Sequence, residues 1–194
     1  MSGLLELFPN AKFICCVRPL AQIVNSFERL VRESPFEPSS IFNYNCGGNV
    51  YTRAEHLNSN NGVLGLAYQS LKDAFFGPYA GALILVPYGA LTQAPEHTMR
   101  EIYQFLEWEP FEHDFDNVEI EAEEFDRKLG ARGLHTVGRS VRPGSRELSL
   151  PPDLIQRWQY SQFWGDPERN PNGVRIVSLP APAAPVGVRM AELL

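Results

Sequence analysis

Apolar residues fall along this chain in two rhythms. Ala11-Lys12-Phe13-Ile14-Cys15-Cys16-Val17 is a short, nearly continuous apolar run, the pattern of a parallel strand buried on both faces. Arg18 ends it, and Pro19 follows, a residue favoured at the first position of a helix. Leu20, Ile23, Val24, Phe27, Leu30 and Val31 then recur at helical spacing, which predicts a helix over 19–32. Ser34-Pro35-Phe36-Glu37-Pro38 breaks that helix. Residues 41–60, rich in Asn and Gly, predict an excursion with a short helix around 52–57. A helix over 62–76 follows, with Val63, Leu64, Ala67, Leu71, Ala74 and Phe75 apolar and Gly77-Pro78 as its stop.

Residues 82–86 form a second continuous apolar run and predict a second buried strand. It should end before Pro87, which would remove a ladder donor. Pro95 opens another helix, striped by Met99, Ile102, Tyr103 and Leu106. A last helix is expected over 153–164, after Leu150-Pro151-Pro152. From Gly165 onward Pro, Ala, Gly and Val dominate without periodicity. The expected organisation is therefore one α/β domain over 1–164 and a poorly ordered tail over 165–194. The order strand, helix, excursion, helix, strand, helix is the rhythm of a parallel α/β sheet. Two parallel strands do not make a stable core, so the pattern by itself implies that part of the sheet is missing.

At 194 residues, 44% apolar and 21% charged, the composition is that of one globular domain. No run approaches the ~18 apolar residues of a membrane span. The start has no basic region of a signal peptide. Cys15, Cys16 and Cys46 lack the regular spacing of a disulfide framework or zinc site, which points to a reducing, cytoplasmic setting.

The net charge of −6 hides an asymmetry. Residues 107–126 hold ten of the 23 acids and no Lys or Arg, whereas residues 127–146 hold six of the 17 basic residues and no acids. Each run reads as a solvated surface. The basic one, with Gly130, Gly133, Gly138 and Gly144, also reads as a cationic loop able to close over an anion. Nucleic acid is a poor partner for a chain that is acidic overall and whose basic stretch lacks interleaved aromatics.

The candidate chemistry centres on Arg18. A guanidinium at the carboxyl end of a parallel strand, beside a helix N-terminus, is well placed to hold an anion. Ser26 lies between the apolar stripe of that helix and the polar face carrying Gln22, Arg29 and Arg32. On spacing alone the two also read as a surface arginine and an ordinary helix serine. His56, His97 and His113 sit in unremarkable contexts, and no His or Cys pair has metal-ligand spacing. Trp158, Phe163 and Trp164 read as packing residues.

The block from Phe8 through Val17-Arg18-Pro19 to Ser26-Phe27 resembles the sulfotransferase family, whose sulfuryl donor is 3'-phosphoadenosine 5'-phosphosulfate (PAPS). The family's 3'-phosphate motif is an apolar strand, then Val-Arg, a Pro, and a Ser eight positions after the Arg. Ala82-Leu83-Ile84-Leu85-Val86-Pro87-Tyr88-Gly89-Ala90-Leu91 is similar to the family's second strand and Tyr-Glu-x-Leu segment, with Gly89 in place of Glu. Ala94-Pro95-Glu96 to Ile102-Tyr103-Gln104-Phe105-Leu106 is similar to its next helix. The blocks stand in family order, and the resemblance runs from about Leu7 to Trp164. It is nearest a bacterial branch in which Gly133-Leu134-His135 and a Leu-Pro-Pro-Asp helix come late.

The resemblance implies a three-layer, P-loop NTPase-like α/β fold and PAPS as cosubstrate, with no metal. It implies a small-molecule acceptor with a hydroxyl or amine. Arg18 and Ser26 would bind the 3'-phosphate, and Arg139 and Arg142 would stand on a loop closing over it. The family's phosphosulfate loop, Pro-x-Ser-Gly-Thr/Ser-Thr, is not in this sequence, nor is a Walker-type G-x-x-x-x-G-K-[ST]. The expectation is therefore the C-terminal portion of a sulfotransferase, with no assignable catalytic base; His135 is a weak candidate. A non-catalytic sulfotransferase-like binding or assembly module is the alternative, and self-association through an uncovered sheet edge is expected. A nucleotide kinase fits less well, because both phosphate loops are absent while the Arg–Ser block is present.

Overall fold

The computed structural model describes residues 1–33, 48–120, 122–129, 138–144 and 147–181; Cys46, His135 and residues 182–194 lie outside them. The chain opens on α1 (Ser2–Leu7), β1 (Phe13–Val17) and α2 (Leu20–Glu33). Helices α3 (Val50–Asn58) and α4 (Val63–Phe75) lead into β2 (Leu83–Pro87), α5 (Tyr88–Gln93) and α6 (Pro95–Leu106). Then come α7 (Glu123–Leu129), α8 (Pro152–Trp158) and β3 (Arg175–Ile176).

The strands form a parallel sheet in the order β1-β2-β3, with Phe13 opposite Leu83 and Val17 opposite Pro87. The α/β parallel-sheet class expected from the sequence is present. Strand β2 is the centre and buries both faces. Leu83 and Leu85 pack with Phe75, Phe163, Trp164 and Val174, while Ile84 and Val86 pack with Ile102, Phe105 and Val177. Helices therefore cover β2 on both sides, as a parallel strand requires. Pro87 fits at the strand end, where its absent N–H costs no ladder bond.

Among the described residues, strand β1, expected to be buried on both faces, is covered on one side only. Phe13, Cys15 and Val17 join the β2 cluster on the α4 side. Ile14 is 46% exposed and Cys16 is exposed on the opposite side. A further cluster joins α2, α3, α4 and α8 through Leu20, Val24, Ala54, Leu57, Leu64, Leu154 and Trp158. Helices α3 and α4 meet closely at Gly65, where a Cβ would collide with the Ser59 carbonyl.

Two further expectations change here. The helix expected over 153–164 stops at Trp158. Ser161 turns back to donate from its hydroxyl and its N–H to the Trp158 carbonyl, at 2.6 and 3.0 Å. The break lets Phe163 swing into the core edge-on to Phe75, with ring centroids 5.1 Å apart, which a continued helix would prevent. The second change is in the tail. Beyond Trp164 the chain is not featureless: Arg175–Ile176 pairs with β2, and Val174 and Val177 are buried. Asn170 secures this turn by donating to the Val174 carbonyl and accepting from its N–H, at 2.8 and 2.9 Å. A two-residue strand is too short to leave a periodic signal.

Candidate functional site

The site is built where β1 and β2 end side by side. Because Val17 pairs with Pro87, the next residues, Arg18 and Tyr88, emerge as neighbours at the carboxyl end of the sheet. The Arg18 guanidinium lies over the Tyr88 ring, 4.4 Å from its centroid. Its Nε–H donates to Gln22 Oε1 at 2.8 Å. Helix α2 starts just beyond; the Pro19 carbonyl accepts from the N–H groups of Gln22 and Ile23 at 2.9 and 3.2 Å. Its first turn holds no acid, so nothing there offsets the positive end of the helix dipole beside Arg18.

Gln22 and Ser26 are four residues apart on α2 and so share a helix face. Arg18, Gln22 and Ser26 thus follow one another along one side of the helix start. Ser26 is half-buried, and its hydroxyl makes no hydrogen bond among the described residues. The buried residues on either side of that face fix its orientation. Asn25 accepts from the N–H and hydroxyl of Ser149 at 2.9 and 3.1 Å and donates to the Glu147 carbonyl at 3.2 Å. Val24 is 1% exposed.

Of the predicted loop residues, Arg139 and Arg142 are both exposed. Arg142 Nη2 lies 3.7 Å from Asp116 Oδ1. The Val118 N–H donates to the Arg139 carbonyl and the Val141 N–H to the Phe115 carbonyl. The acidic and basic runs of the sequence are therefore laid against each other, antiparallel, over 115–118 and 139–141. Past this pairing the chain reaches Gly144, where a Cβ would stand 4.0 Å from Tyr88 Oη. The segment bearing both arginines thus passes beside Tyr88.

Other candidates have structural partners. Nε2 of His113 is 2.9 Å from the Tyr103 hydroxyl, and the two rings stack. Trp158, Phe163 and Trp164 are buried in the core. No group of His, Cys, Asp and Glu among the described residues could hold a metal ion. No helix among them is long and apolar enough to cross a membrane.

Tyr88 and Gln22 are the members of the site to which the sequence attaches no role. Gln22 could be found from its position four residues after Arg18. Tyr88 becomes adjacent only through the register of two strands some seventy residues apart, which the sequence does not print.

A region that includes Arg18, Gln22, Ser26 and Tyr88, but not Arg139 and Arg142, matches a known family. Residues 1–113, which include β1, α2, β2 and α6, match the family model described as "Sulfotransferase family". No curated protein and no solved structure matches the chain.

Proposed function

The chain belongs to the sulfotransferase family, and from that premise we propose that it carries the 3'-phosphate grip of a PAPS-dependent enzyme acting on a hydroxyl or amine of a small molecule. The observation behind this reading is the position of Arg18, held by Gln22 and Tyr88 at the carboxyl end of a parallel strand beside a helix N-terminus free of acids. PAPS supplies the activated sulfuryl group. The chain's own residues bind and orient.

Arg18 presents a planar guanidinium to a phosphate, and Ser26 offers a hydroxyl not engaged elsewhere among the described residues. Charge-assisted contacts of this kind contribute about 1.5–3 kcal/mol each when shielded from water. Arg139 and Arg142 extend the same function on a segment that passes Tyr88. Its middle is tethered to residues 115–118, so closing over a nucleotide would exchange the Arg142–Asp116 pair for a phosphate contact. That exposed pair is weak, so the exchange is cheap.

Sulfuryl transfer also needs cations over the sulfate and a base for the acceptor proton. The sequence offers neither clearly. Pure chain incubated with labelled PAPS and a broad acceptor panel is therefore expected to give no useful turnover while still preferring nucleotides that carry a 3'-phosphate. Adenosine 3',5'-bisphosphate binding about tenfold or more tightly than adenosine 5'-phosphate supports the reading. Equal affinities contradict it. Clear turnover would show that the chain supplies its own cations and base, and would direct attention to Arg139, Arg142 and His135.

A further inference from the structure

Arginine recognises a phosphate with the edge of its guanidinium and an aromatic ring with its face, so one group can do both at once. Arg18 has partners suited to this: its guanidinium carbon stands over the Tyr88 ring, 4.4 Å from the centroid, and its Nε–H donates to Gln22 at 2.8 Å. The ring contact restricts where the guanidinium can lie, and the Nε hydrogen bond restricts its rotation. The backbone at Tyr88 is itself fixed, because it continues directly from the Val17–Pro87 pair into α5.

We infer that Tyr88 and Gln22 are positioning residues that hold the Arg18 guanidinium in the plane in which it receives a terminal phosphate. A free arginine side chain samples many rotamers and loses that freedom on binding; one already stacked and hydrogen-bonded loses less. The gain therefore appears as affinity for the group that Arg18 contacts, and not for the rest of the nucleotide. This inference rests on the reading of Arg18 as the 3'-phosphate holder.

The quantity to measure is the ratio of dissociation constants for adenosine 5'-phosphate and adenosine 3',5'-bisphosphate, obtained by calorimetry on the full chain. It isolates the 3'-phosphate contribution. Tyr88→Phe keeps the ring and should leave the ratio within about twofold, whereas Tyr88→Leu removes the stack and should lower it about fivefold. Gln22→Leu should lower it about threefold. In an Arg18→Ala background neither Tyr88→Leu nor Gln22→Leu should change the ratio further.

The alternatives separate cleanly. If Tyr88→Leu weakens both nucleotides equally, the ring touches the nucleotide directly and the positioning role is overturned. If the ratio falls with Arg18→Ala but not with Tyr88→Leu or Gln22→Leu, the anion site stands and the inference fails. If Arg18→Ala leaves the ratio unchanged, or the wild-type chain binds neither nucleotide, the anion-site reading itself fails and takes the inference with it. Should Tyr88→Leu not fold, Gln22→Leu on the helix surface carries the same comparison.

Discussion

Glu28 of α2, only 5% exposed, accepts two hydrogen bonds from Arg53 of α3, from Nη2 to Oε1 at 2.7 Å and from Nε to Oε2 at 2.9 Å. Arg32, half exposed, adds a longer contact to the same carboxylate at 3.4 Å. Arg53 also donates to the Gly48 carbonyl at 2.6 Å. This fork pins α3 against the helix whose first two turns carry Gln22 and Ser26. Removing one partner of a buried pair strands the other's charge. Arg53→Ala should therefore destabilise the chain by about 3 kcal/mol, and Glu28→Gln, which keeps hydrogen-bonding capacity, by about 1 kcal/mol. Urea unfolding followed by circular dichroism measures both. A change below experimental error for Arg53→Ala would mean that Arg32 takes over.

Part of this arrangement is legible in the sequence, and the reason is locality. Arg18 at a strand end, Ser26 on the polar side of its helix and the alternation of strands with helices all follow from patterns within a dozen residues. Tyr88 over Arg18, Arg53 on Glu28 and residues 115–118 beside 139–141 depend on register or on folding back, and leave no local period. The helix break after Trp158 leaves no mark in the sequence pattern, because Phe163 and Trp164 prolong the apolar spacing yet are needed elsewhere in the core.

Strand β3 leads to a truncation experiment. Ending the chain after Trp164 removes Val174 and Val177, 3% and 2% exposed, and uncovers the outer side of β2. Burial of two such side chains contributes at least about 3 kcal/mol. The truncated chain should unfold at clearly lower urea concentration than the full one. Equal midpoints would show that residues 165–181 add nothing to the core.

The open side of β1 should drive association. Ile14 is 46% exposed on an edge strand next to exposed Cys16, with Leu4, Leu7 and Phe8 also exposed in the preceding segment. Such an edge templates pairing with another chain. Light scattering behind size exclusion should report species larger than a monomer, and Ile14→Lys should shift them toward monomer. A wild-type monomer at high concentration would show that this edge is inert.

The two neighbouring cysteines should behave differently. Burial, and to a lesser extent the adjacent Cys16, raises the Cys15 thiol above its ordinary value. Cys16 is exposed. Thiolate is the reactive species, so a raised pKa means less of it at a given pH. Iodoacetamide should therefore modify the exposed Cys16 before the half-buried Cys15. Cys15 should follow only as the pH climbs further. Peptide mapping by mass spectrometry reads the order, and equal rates would contradict the burial seen for Cys15.

The central claim is that Arg18 holds a phosphate, and its most direct test is a comparison of two arginines. Arg29, further along α2, is paired with Glu33, with its Nε 3.3 Å from Oε1, and lies two helical turns beyond Gln22. Calorimetric titration of adenosine 3',5'-bisphosphate into wild type, Arg18→Ala and Arg29→Ala decides the matter. The account predicts a loss of about tenfold or more for Arg18→Ala and a change within about twofold for Arg29→Ala. Affinity that is the same in wild type and Arg18→Ala would remove Arg18 from the site.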